Sequence, residues 1–239
     1  MSTSMNPEIS PAMSDPLNEN IPAFLQPLEN LQIGKENLSQ VIARVVLICP
    51  DKVIPRGDER DQLPAPRTLV LELRPDSSIV SANMYTLAGG KVKEKHFPGG
   101  NFAVENLEEA GRSAVLAKIQ EELGINLSEL FSNSGLTFST STLKAEGFFE
   151  NPDVKGRTWT TLVYSLVLPE KPSILMSSDL GGVVFVNERV FLQENFTDED
   201  KERWALFIEE LNYLTGHFPA IAAVLRGMLL EKLSDESAK

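Results

Sequence analysis

The sequence predicts an α+β fold, an α-β-α sandwich built on a mixed β-sheet, and three observations predict it. Runs rich in β-branched and aliphatic residues recur along the chain, at 41–49 (VIARVVLIC), 68–73 (TLVLEL), 136–148, 158–168 and 182–186. A single helical segment, beginning at Glu108 or Glu109 and ending at Leu123, lies between the second and third of these runs. The last third carries two amphipathic helical segments, 197–214 and 217–233. Strands on both sides of one helix, followed by more helices, pack as a sheet covered on two faces.

Each element has its own signal. Weaker strand candidates, 80–87 and 92–97, flank a turn at Gly89 and Gly90. Lys91, Lys93 and Lys95 alternate there and would share one face of a strand. In the central helix Val115, Ile119 and Leu123 step by four, Leu116 widens the stripe, and Gly124 supplies a stop. The segment EGFFENPDVKGR, 146–157, has the composition of a surface turn. Thr197 followed by Asp198, Glu199 and Asp200 is a helix N-cap with acid in the first turn. Residues 1–38, rich in Ser, Pro, Asn and acid, read as a disordered or loosely docked tail, and 39–235 as one domain. Ile21, Phe24, Leu25 and Leu28 are spaced for a short helix that docks on that domain.

Composition excludes several functions. A net charge of −12 opposes nonspecific nucleic-acid binding, which needs a basic surface. An anionic small molecule remains compatible with it, because a carboxylate-held cation can neutralise phosphate locally. The one cysteine, Cys49, permits no internal disulfide and no cysteine-based metal site, and its place in an apolar run predicts burial. No run approaches a membrane span and no secretory signal is legible, so a cytoplasmic location and no membrane partner are expected. A homodimer, with the tail packed across it, is an arrangement the sequence leaves open.

The chemistry concentrates in HFPGGNFAVENLEEAGRSAVLAKIQEELGINL, 96–127. A glycine turn leads through an acidic loop into a helix that ends on adjacent carboxylates, a pattern suited to a divalent cation and a phosphate. The stretch resembles the Nudix box, which runs glycine, five residues, Glu, seven residues, then Arg-Glu-apolar-any-Glu-Glu-any-Gly-apolar. Ile119, Glu121, Glu122, Gly124 and Ile125 match, and Glu109 matches the leading Glu. Gly100 lies three residues too far from Glu109, which places an expansion in the loop 101–108. Glu105, at the family spacing from Gly99, is the alternative leading Glu. Two positions depart from the pattern: Ala117 stands for the Arg, and Lys118 for the Glu after it.

Further along, NPDVKGRTWTTLVYSLVL and HFPAIAAVLRGMLLEKL resemble segments of ADP-ribose pyrophosphatase-like members of that family. The resemblance implies a Nudix hydrolase that cuts the pyrophosphate of a nucleoside diphosphate-linked metabolite, ADP-ribose-like or a nucleotide-sugar, with Mg²⁺ or Mn²⁺. Glu121 and Glu122 would be catalytic, and with Glu109 and Glu105 they would hold the metal. Gly99, Gly100, Arg157 and Lys118 would contact the nucleotide-derived substrate. Lys118 weighs the other way: a protonated lysine cannot ligate Mg²⁺, but it can bind phosphate as a point charge. The alternative is therefore a nucleotide-binding sensor or regulatory partner on the same fold. Glu146 and Glu150 are further carboxylates near the same region. Trp159 and Phe149 are candidates for stacking on a base, with core packing the plainer role. His96, before the glycine turn, is a candidate for substrate contact, with a partly buried strand position the plainer role, and His217 reads as a helix-start residue with no partner in sequence.

Overall fold

A computed structural model describes residues 24–50, 67–76, 84–152, 157–192, 197–215 and 217–237. Ile21, the polar loop after Pro50 and the start of the 80–87 strand lie outside these residues. The strands are β1 (Val41–Pro50), β2 (Arg67–Leu73), β3 (Tyr85–Thr86), β4 (Ala88–Lys91), β5 (Lys144–Pro152), β6 (Thr158–Val167) and β7 (Gly182–Asn187). The α-helices are α1 (Leu107–Leu123), α2 (Leu127–Asn133), α3 (Arg189–Leu192), α4 (Asp198–Thr215) and α5 (His217–Ser237). Among the described residues no helix is long and apolar enough to cross a membrane.

β1 is the axis of the sheet. On one side it runs parallel to β6 from Val41↔Thr160 to Ile48↔Val167. On the other it changes partner. Ile42 to Val45 pair antiparallel with β4, and Leu47 to Pro50 pair antiparallel with β2. β5 pairs with β6, and β3 and β7 pair with β2, all antiparallel, so the sheet is mixed.

Alternation along β1 divides the core into two layers. Val41, Ala43, Val45, Leu47 and Cys49 face the layer of α1, with Ala110, Ala114, Val115, Ile119 and Leu123. Val46 and Ile48 face the layer of α3, α4 and α5, with Phe191, Phe218, Ile221, Val224 and Leu225. This is the expected α-β-α sandwich on a mixed sheet.

α1 stops where its sequence predicts. Gly124 adopts φ 63°, ψ 20°, and its N–H donates to Gln120 O at 3.2 Å, the left-handed cap that a Cβ would strain. α4 begins with a reciprocal cap. Asp200 N donates to Thr197 Oγ1 and Thr197 N to Asp200 Oδ2, each at 3.1 Å.

Four expectations need correction. Residues 92–97 are not a strand, because Glu94–His96 close a single 3-10 turn, with Phe97 N donating to Glu94 O. Gly89 and Gly90 sit inside β4, where the missing side chains let β1 and α1 approach. The strand expected at 136–148 begins only at Lys144, and α2 precedes it, capped by Asn126 Oδ1 accepting from Glu129 N. The supposed surface turn 146–157 starts as β5. Phe148 and Phe149, 3% and 2% exposed, are core residues, so Phe149 is no stacking platform. Residues 24–38 dock on the folded body. Gln26 pairs with Phe148 at 2.8 and 2.9 Å, the Phe24 ring lies 5.1 Å from Phe149, and Leu38 is buried.

One steric contact fixes α1 on the sheet. The Tyr164 hydroxyl donates to Glu108 O at 2.8 Å, and a Cβ on Gly111 would lie 2.2 Å from that hydroxyl oxygen. Gly111→Ala should therefore lower stability by about 1–3 kcal/mol, although alanine favours helix. Thermal melts check it, and adding Tyr164→Phe, which removes the clashing oxygen, should restore part of the loss.

Candidate functional site

Between β2 and β4 the sheet opens, because β1 leaves one for the other. The C-terminal half of α1 lies over β4 at this opening. The approach is close: a Cβ on Gly90 would lie 3.2 Å from Lys118 Cγ and Cε, so the lysine stem runs across a strand with no side chain in the way.

Four charged residues from three elements meet there. Arg44 of β1 donates through Nη1 to Leu87 O at 2.8 Å and Gly89 O at 3.0 Å. Glu72 of β2, only 2% exposed, shares a hydrogen bond with Glu122 of α1. Lys118 Nζ lies 3.0 Å from Glu122 Oε1 and 3.1 Å from Glu121 Oε2, the spacing expected one turn along a helix. Arg44 Nε and Glu72 Oε1 are buried without a hydrogen-bond partner.

The electrostatics follow from burial and adjacency. Burial, then the Glu122 charge, pushes the Glu72 carboxyl up to about 8, against the pull of Arg44 and Lys118. The Glu72 carboxyl thus keeps its proton at neutral pH. Burial lowers the Lys118 ammonium, but its bonds to Glu122 and Glu121 outweigh this and raise it. The bond from Lys118 holds Glu121 below the usual carboxylate range.

His217, at the start of α5, is 4% exposed and accepts at Nδ1 from Leu87 N at 3.4 Å. Burial, with Arg44 and Arg74 nearby, pushes it well below its ordinary value, so it is neutral.

The sequence-named residues divide. Glu121 and Glu122 do lie at the end of α1, but Glu122 turns inward with 15% of its side chain exposed, and Glu121 outward with 57%. The Glu94–His96 turn packs on α1, and Glu121 feels the charges of Lys93 and Lys95. Pro98–Gly100 follows that turn at once. Gly99 and Gly100 are exposed, at φ 66° and 72°.

Glu109 and Glu105 do not join them, which corrects the four-carboxylate metal set. Glu109 precedes Glu122 by thirteen helical residues, roughly 20 Å at 1.5 Å per residue. Glu105 instead lines a cavity of about 380 Å³ with Leu28, Leu31 and Leu107. Arg157 stands 5.7 Å from the centre of the Trp159 ring, which also takes Lys91 Nζ at 5.0 Å. Glu146 accepts from Ser165 Oγ at 2.5 Å and Glu150 from Thr160 Oγ1 at 3.3 Å, across the β5–β6 hairpin. His96 accepts from Lys93 N through Nδ1.

A divalent ion requires carboxylate oxygens free to close on it. Here Glu121 and Glu122 close on Lys118, and Glu72 retains a proton. This arrangement does not fit Mg²⁺ or Mn²⁺. Among the described residues no group of three His, Cys, Asp or Glu side chains is placed to hold a metal ion.

Reasoning from sequence missed Arg44, Glu72 and His217. The available signal was a lone charge inside an apolar strand, Arg44 in VIARVVLIC and Glu72 in TLVLEL. A charge there must find a buried partner.

No family model and no curated protein matches the sequence. Several solved structures align with this chain, among them Nudix proteins. A NUDIX hydrolase from Alicyclobacillus acidocaldarius aligns at 16% identity over 64% of this chain and 81% of that one, with TM-score 0.45. A mutT/nudix family protein from Listeria innocua aligns at 13% identity over 81% and 96%, with TM-score 0.46. The NUDIX domain of Shewanella oneidensis NrtR, solved with ADP ribose, aligns at 15% identity over 79% and 96%, with TM-score 0.39. The likeness is one of fold.

The raised Glu72 carboxyl makes a stability prediction. Its folded value, about 8, lies above its ordinary 4.5, so the folded state holds a proton that the unfolded state releases. That stabilisation is complete below the ordinary value and is lost as pH rises through 8. Between about pH 5 and 8 the unfolding free energy should fall by up to about 1.4 kcal/mol per pH unit, and it should level off above that. Denaturant melts across that range check it, and Glu72→Gln should flatten the slope.

Proposed function

We propose that this chain binds the pyrophosphate of a nucleoside diphosphate-linked metabolite, ADP-ribose-like or a nucleotide-sugar, as a sensor or regulatory partner rather than as a fast pyrophosphohydrolase. The observation that carries this reading is Lys118 Nζ, 3.0 and 3.1 Å from the two carboxylates that a hydrolase of this pattern uses for metal. An ammonium there supplies positive charge to a phosphate, and it keeps Glu121 and Glu122 from acting as free metal ligands. The exposed bend at Gly99 and Gly100, with no side chains in the way, is suited to close approach of phosphate oxygens. Lys93 and Lys95 add charge beside it. Arg157 and Trp159, with Lys91, form a cation-aromatic cluster at the start of β6, suited to the ribose or base end of the ligand.

The rival reading is a Nudix-type hydrolase that cuts the same pyrophosphate with Mg²⁺ or Mn²⁺. One observation favours it: the buried Glu72 carboxyl beside Glu122 is raised to about 8, and a carboxyl of that kind can donate a proton at neutral pH. In either reading the ligand is a nucleotide-derived small molecule and the setting cytoplasmic. The acidic chain is not suited to nucleic acid.

One experiment separates the two. A panel of dinucleotides and nucleotide-sugars is incubated with wild type and Glu122→Gln, in Mg²⁺ or Mn²⁺ and in EDTA, with binding followed by calorimetry and release of nucleoside monophosphate by chromatography. Binding without release is expected. Metal-dependent release that drops by a factor of about 10² or more in Glu122→Gln would establish the hydrolase instead.

A further inference from the structure

Two adjacent carboxylates at the end of α1, one inward and one outward, close on one point, and a side chain of the protein occupies it. Lys118 Nζ is bonded to both Glu121 and Glu122. The position is built rather than incidental, because the stem that delivers the ammonium packs so closely over Gly90 that a Cβ there would lie only 3.2 Å from it. Behind Glu122 stands Glu72, 2% exposed, with Oε1 facing no hydrogen-bond donor, an unfilled acceptor at a carboxylate cluster. Arg44 lies beyond it, held by two carbonyls of the β3–β4 segment. The centre therefore has the oxygen ligands that attract a hard cation, and two cationic side chains that answer them.

We propose that Lys118 is the resident cation of this centre, tethered where a divalent ion would otherwise sit, so that phosphate held there needs no metal. The phosphate clause rests on the binding reading above, but the identity of the cation does not. If the ammonium is the only obstacle to a metal, its removal should create a metal site. Lys118→Glu would turn two carboxylates facing an ammonium into a carboxylate set drawn from β2 and α1, with an acceptor on Glu72 still unused. Such a set suits Mg²⁺ or Mn²⁺, which prefer oxygen ligands. Lys118→Gln removes the charge without adding a ligand, and it guards against a Lys118→Glu protein that does not fold.

The test titrates Mn²⁺, with no nucleotide present, into wild type, Lys118→Glu and Lys118→Gln. Free Mn²⁺ is read by electron paramagnetic resonance and thermal stability by melts. Wild type should bind no Mn²⁺ below the millimolar range. Lys118→Glu should bind at least about tenfold more tightly than wild type, with a melting temperature that rises with Mn²⁺. Lys118→Gln should fall between the two. Sub-millimolar Mn²⁺ binding by wild type overturns the proposal, and so does the absence of any gain in whichever variants fold. A parallel titration of inorganic pyrophosphate into wild type in EDTA tests the binding reading separately. No binding there removes the ligand but not the cation, whereas binding only when Mg²⁺ is added overturns the tethered-cation proposal as well.

Discussion

The site depends on one constraint, the change of partner along β1. A strand can hydrogen-bond only one neighbour on each side at a given residue. β1 spends its β6 side along nearly its whole length, and on the other side it serves β4 first and β2 afterwards. β2 and β4 must then diverge beyond Val45. The wedge between them admits side chains that a closed sheet would exclude. Arg44 enters from β1, Glu72 from β2, and the end of α1 covers the gap with Lys118 and Glu122.

Charges placed in that wedge do not behave like surface charges. Glu121 is mostly exposed, and its bond to Lys118 is screened by water and salt. Glu122 and Glu72 are largely or wholly buried, so each must have a counter-charge, a proton or a hydrogen bond. The wedge supplies all three. Arg44 and Lys118 bring positive charge, Glu72 takes a proton, and the two carboxyls bond to each other. The buried neutral His217, between the Leu87 N–H and the two arginines, ties the start of α5 to the same segment that Arg44 holds. The upper and lower layers of the sandwich are thus joined through Leu87 to Gly89.

Legibility in the sequence followed the range of the interaction. α1 was readable because its stripe, its Gly124 cap and its Lys118–Glu122 spacing are all local. β1, β2, β6 and β7 were readable because aliphatic runs bounded by turn residues have few other uses. α2 was missed although Asn126 and Glu129 form a recognisable cap, because seven residues give little periodicity. Glu146 to Pro152 read as a turn because Gly147, Glu150, Asn151 and Pro152 surround the adjacent Phe148 and Phe149, and only pairing with β6 makes the segment a strand. Lys93 and Lys95 alternate as in a strand, but no partner is available to them once β4 ends at Lys91.

The amino-acid sequence by itself determined the layers of this protein, its acidic helix end, and the substitution of Lys118 and Ala117 into a familiar pattern. Periodicity and capping act within a few residues, so they survive translation into a linear text. Tertiary structure alone decided which carboxylates meet. Glu109 and Glu105, near Glu122 in the text, are kept away by the rise of the helix, whereas Glu72, fifty residues earlier, is brought to it by the opening beside β1. Proximity across a sheet depends on strand order and register, and neither is written in any one segment of the chain.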